Sequence, residues 1–221
     1  WEQEKFDEAI ATWKQGHGVV LKLRLGDAYL SRDKLPEAAE IVDQLEQLSP
    51  QALRVAGEQE QEHVSLAIGL LKARWYLAQQ KPARAIEILR SARYRKLPQA
   101  WQYLGQAYLL LDQWDQAAAA FGHLAGLQPD SAGPRLASAR AHHAGGRVEM
   151  AIRQYTQALQ LTDSAQAWLE LAQARFEQQQ ATPNEQRDWR QVRDALQQAQ
   201  REREAAPLEE PWRATLLEAQ V

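Results

Sequence analysis

The sequence predicts an all-α chain, an α-α superhelix of antiparallel helix hairpins. Three observations carry this. Apolar residues recur at spacings of three and four, the period of an amphipathic helix. The same order of large and small residues returns at intervals of roughly 34 positions, the length of one helix hairpin with its links. Eight Trp stand against three Phe, and most of the Trp fall at the starts of the periodic segments rather than in one cluster.

The 221 residues leave room for a medium domain or a short array, and with 45% hydrophobic residues the chain can bury a core. The absence of Cys removes disulfides, thiolate metal sites and Cys nucleophiles. A net charge of −3 gives no overall basic excess for nucleic acid. No stretch approaches the ~18 apolar residues that span a bilayer. There is no Gly-rich phosphate loop, no His-Glu-x-x-His and no Gly-x-Ser-x-Gly. Of the five His only His142 and His143 are neighbours, and adjacent helical residues point about 100° apart, a poor metal pair. The expectation is therefore no catalytic residues, no metal and no cofactor. Met150 is the one Met, so the chain reads as a piece of a longer protein. Its compartment stays open, and zero Cys suits either side of a bacterial membrane.

The clearest unit begins at Trp101 and runs Trp101-Gln-Tyr-Leu104-Gly105-Gln-Ala-Tyr108, followed by Ala117, Phe121 and Pro129. Trp101, Leu104 and Tyr108 share one helix face. Gly105 and Ala117 are small, so two helices can approach closely there; Phe121 fills the remaining gap, and Pro129 ends the second helix. One such hairpin cannot bury its outer face, whereas stacked copies can. The pattern resembles the tetratricopeptide repeat (TPR).

Other copies lie on both sides. Upstream, Leu25-Gly26-x-x-Tyr29 with Ala38, Val42 and Pro50 marks a repeat over 19–52. Ala73, Tyr76, Ala85 and Leu89 mark a modified one over 53–97, preceded by a polar loop or lengthened helix start that ends in Gly57-Glu-Gln-Glu-Gln-Glu62. The Trp101 unit occupies 98–131. Ala139, Ala151, Tyr155 and Asp163 mark the next, over 132–164, with His142 in the slot of Tyr108 and Gly146 in the turn. Trp168-x-x-Leu171-Ala172 opens a repeat over 165–207, whose second helix starts near Asp188-Trp189; Gln178 to Glu185 are expected to lengthen the turn between its helices. Residues 1–18 read as the second helix of a partial repeat and 208–221 as the first helix of another. The whole chain 1–221 is thus expected to be a single array.

The resemblance implies a right-handed solenoid whose first helices line a concave groove where partners bind. The ridge one residue beyond each core position is left over by hairpin packing. It contains Leu23, Asp27 and Leu30; Leu70, Arg74 and Leu77; Gln102, Gln106 and Leu109; Leu136, Arg140 and His143; Leu169, Gln173 and Phe176. Apolar ridges with a polar residue midway suit an extended or helical peptide, with Arg or Gln holding its polar groups. Alternatively the Leu residues pack between repeats while the Arg and Gln are merely solvated. The Lys and Asn set with which some TPR proteins clamp a terminal carboxylate is missing.

Charge is segregated along the chain. Residues 1–65 carry a net −6, residues 66–100 a net +7, and residues 101–221 a net −4. The basic band could steer an acidic partner, or be an ordinary uneven surface. Nucleic acid fits less well, because Arg90 to Lys96 fall at a helix end. The expected function is a non-catalytic scaffold that binds a peptide or protein partner in the groove. The alternatives are an adaptor segment of a larger enzyme or of a bacterial secretion or envelope-assembly protein, and self-association through end faces such as Trp1/Trp13 and Trp212/Leu216.

Overall fold

The computed structural model describes Ile10, residues 18–48 and residues 58–205. The partial repeats expected at 1–18 and 208–221 lie outside these residues except for helical, buried Ile10 and exposed Gly18. The described chain is all-helical, with ten α-helices and no strand. They are α1 (Val19–Ser31), α2 (Leu35–Glu46), α3 (Glu58–Ala78), α4 (Pro82–Leu89), α5 (Pro98–Leu109), α6 (Trp114–Leu127), α7 (Ala132–Ala144), α8 (Val148–Ala158), α9 (Ala165–Ala181) and α10 (Arg190–Ala205). Pro in the first turn of α2, α4 and α5 costs no hydrogen bond there and presets the helical φ.

The chain divides into two compact units, Trp1–Leu111 and Asp112–Val221. In the first, α1 packs on α2 and α3, and α3 on α4 and α5. Its core joins Leu25, Ala28 and Tyr29 of α1 to Ile41, Val42 and Leu45 of α2 and to Leu71 of α3. Gly26 allows the close approach: a Cβ there would lie 2.7 Å from Leu71 and 3.2 Å from Ile41. In the second unit successive helices pack in order from α6 to α10. Trp168 packs against two clusters at once, Tyr155 with Leu171 on one side and Val192 with Leu196 on the other.

The turns within the hairpins repeat in detail. Asp33, Gln80, Asp112 and Gly146 all have φ between 54° and 71°. Each stands five positions before an Ala of the following helix (Ala38, Ala85, Ala117, Ala151) with no exposed surface. At three of them the next backbone N–H reaches five residues back: Lys34 to Tyr29, Lys81 to Tyr76 and Arg147 to His142, at 2.8–2.9 Å. This closure satisfies the last carbonyls of the first helix by a left-handed cap.

One stretch takes the second of the two forms expected from the sequence, a loop or a lengthened helix start, and another differs in detail. The polar run before Ser65 is a helix start from Glu58 onward, since α3 is 21 residues long. Gln178, Gln179 and Gln180 belong to α9, which runs to Ala181, so the longer turn starts only at Thr182. Gln is a good helix former, and Pro183 then pushes Thr182 to an extended ψ of 142°.

Candidate functional site

Within the first unit, α3 and α5 enclose a cleft of about 680 Å³ lined by Arg74, Leu77, Ala78, Gln102, Tyr103, Gln106, Leu109 and Leu110. Five of these are ridge residues named from the sequence. Spacings of three and four put Arg74 with Leu77 on one side, and Gln102, Gln106 and Leu109 on the other. Gln102 and Gln106 are exposed, whereas Leu77 is 8% exposed and gives the cleft an apolar wall. Leu70 is half-buried and does not line it.

Arg74 is held rather than solvated. Its guanidinium donates to Asp27 Oδ1 at 2.8 Å and to Ser31 Oγ at 2.9 Å, both on α1. Tyr103 stands beside this pair. Burial is the main cause that raises its hydroxyl above the ordinary tyrosine value; Arg74 opposes the rise and Asp27 adds to it.

In the second unit the ridge residues form a polar network between α7 and α9. Arg140 Nε donates to both oxygens of Glu170 at 2.9 and 3.1 Å, and Gln166 Nε2 donates to one of them at 3.3 Å. The hydroxyl of buried Tyr155 is pushed far up, by burial first and then by the charge of Glu170. His143 Nε2 lies 2.7 Å from Glu177 Oε2. A carboxylate only accepts, so Nε2 carries the proton in that bond. Gln173 donates to the other Glu177 oxygen at 3.2 Å, and the His143 ring meets Tyr155 edge-on.

Phe176 requires correction as an open groove residue, whereas Leu136 on α7 stays half-buried. Phe176 is 7% exposed, packed with Val192, Ala195 and Leu196 and 5.3 Å from the Trp189 ring. Leu136 packs against the Ala139, Tyr155 and Leu171 cluster. The physical reason is that α8 covers one side of α9 and α10 the other, so little of its circumference stays open.

The sequence reading placed Asp27 on a ridge without pairing it to Arg74 and did not name Glu170 or Glu177, although a signal exists. Asp27 and Arg74 hold the same middle position on their ridges, and Glu177 follows His143 by 34 residues, one TPR period. It also missed Ala78, Tyr103 and Leu110 as parts of the cleft wall. Among the described residues no group of three His, Asp or Glu could hold a metal ion, and no helix is long and apolar enough to cross a membrane.

The sequence matches no family model and no curated protein. Solved structures do match. A crystal structure of MamA superposes with a TM-score of 0.61 at 16% identity, covering 82% of this chain and 95% of that one. A second MamA structure gives 0.61 at 16% identity over 86% and 96%. TTC0263, described as a thermophilic TPR protein in Thermus thermophilus, gives 0.55 at 18% identity over 92% and 96%. With the left-handed turn recurring five residues ahead of each buried Ala, these likenesses make the chain an all-α, TPR-like helical repeat protein.

Proposed function

We propose that this chain is a non-catalytic interaction scaffold that holds a segment of a protein partner along the first helices of its first unit, anchored in the α3–α5 cleft. One observation carries the reading: five ridge residues, chosen by helical spacing together with the TPR resemblance, line a single cleft. Leu77, Leu109 and Leu110 offer apolar surface for an inserted side chain. Gln102 and Gln106 each carry a donor and an acceptor that match a peptide backbone. Because Asp27 already meets the charge of Arg74, the cleft suits an uncharged residue better than an acidic one. Arg140 and His143, paired to Glu170 and Glu177, support the ridge instead of reaching for a ligand.

Peptide-array selection with the whole chain tests this. Selected sequences are expected to carry Leu or an aromatic residue flanked by uncharged positions. Gln102→Ala, Gln106→Ala and Leu109→Ala combined should weaken the selected peptides at least about tenfold, the loss of roughly 1.4 kcal/mol, with helicity unchanged. Equal affinity for the triple variant overturns the cleft as the site.

A further inference from the structure

We propose that the turn joining α4 to α5 is a second docking surface, outside the cleft, for a short acidic stretch of a partner protein. Arg90, Arg93, Arg95 and Lys96 fall within seven residues and all are exposed. The one acid between residues 66 and 100 is Glu87, and Arg84 takes it at 3.2 Å. Among the described residues Arg90, Arg95 and Lys96 have no ion-pair partner, and none of the four cations lines the cleft.

The turn is built rather than loose. Ala92–Tyr94 form a 3-10 turn, and Tyr94 has no exposed surface. Its hydroxyl sits over Gly69 of α3, where a Cβ would overlap it. Arg93 lies over the Tyr94 ring, 5.0 Å from its centre, and donates to the Tyr94 hydroxyl at 3.1 Å and to Ser65 Oγ at 3.3 Å. From the far side, Trp101 Nε1 donates to the Arg95 carbonyl at 2.8 Å. Arg93 thus braces the turn, while Arg90, Arg95 and Lys96 surround it. A backbone already ordered loses little entropy on binding, and two of the three outward cations are Arg, whose planar fork matches a carboxylate.

The surrounding charge selects the partner. On α2, which packs on α3, Glu40 and Asp43 are exposed, as is Glu62 on α3 itself. Glu62 lies one helical turn before the Ser65 that Arg93 contacts, so a long nucleic acid or an anionic membrane plane spread over the turn would meet its negative charge and be repelled. A segment with three or four carboxylates can be met by the turn alone.

The test uses the full chain and three fluorescent probes measured by anisotropy: a peptide of alternating Glu and Ser, a matched peptide of alternating Gln and Ser, and an oligothymidylate with the same charge as the first. The Glu peptide should bind, the Gln peptide should not, and added salt should weaken binding. Arg90→Ser, Arg95→Ser and Lys96→Ser combined should weaken the Glu peptide about tenfold, because Arg93 and Tyr94 still hold the fold. Gln102→Ala with Gln106→Ala should leave it unchanged, which separates this surface from the cleft. No binding of the Glu peptide, equal binding by the triple variant, or tighter binding of the oligothymidylate overturns the proposal.

Discussion

Tyr94 and Gly69 show how much one contact can depend on a missing methyl group. The Tyr94 hydroxyl occupies the space of a Gly69 side chain, so Gly69→Ala should destabilise the chain by about 1–3 kcal/mol, the usual cost of overpacking. Tyr94→Phe removes the overlapping oxygen, and the double variant should be less destabilised than the two single effects added; urea denaturation of all four proteins gives the coupling. His142 makes a second prediction at this scale. Burial is the main cause that holds its pKa below the ordinary 6.5; Asp115 opposes the shift, and Arg147 and Arg153 add to it. The unfolded chain therefore takes up this proton before the folded one does. The contribution of His142 to stability is fully present above about pH 6.5 and is lost as the pH falls through the lower folded value. The melting temperature should drop between pH 7.5 and pH 5.5, and drop less in His142→Gln.

At the scale of elements, the hairpin turns and the inter-helix pairs have different weights. The turn position requires positive φ, which an L residue adopts at a cost of about 1 kcal/mol or more. Gly146→Ala should then destabilise by about 1 kcal/mol, whereas Gln80→Gly should cost nothing, because Gln80 already holds φ 58°. Gln106→Gly is the control: inside α5 and exposed, it should cost about 1 kcal/mol. The same denaturation series reads all three. The pairs Arg74–Asp27 and Arg140–Glu170 keep partly exposed side chains, so each is worth at most about 1 kcal/mol. Their effect is to fix which residues of one first helix stand opposite which residues of the next.

For each compact unit, helices contact mainly their near neighbours along the chain, as repeats do in a one-dimensional array. Val42 is 1% exposed in the core of α1, α2 and α3. Val42→Ala should cost about 1–3 kcal/mol and speed amide hydrogen exchange in those three helices, with α8 to α10 unchanged. Uniform acceleration along the chain would mean that the two compact units unfold as one. The modest net charge of −3 conceals a basic band between two acidic regions, so binding to this chain should depend on local charge.

The sequence by itself determined the helices, their all-α class, the small residues at close approaches and the ridge that lines the cleft. These features are legible because helical period, Pro starts and turn residues act over one turn to one hairpin. Gln102, Gln106 and Leu109 could be placed on one face without knowing what lay across from them. Only the tertiary structure decided what covers each face. Phe176 sits on the ridge by spacing, yet α10 closes over it; Arg74 is offered to solvent by spacing, yet Asp27 takes it from 47 residues away; Tyr94 stands in a basic turn, yet its place was set by Gly69. Burial and ion pairing depend on which elements meet, and residues this far apart in sequence meet only after the chain has packed.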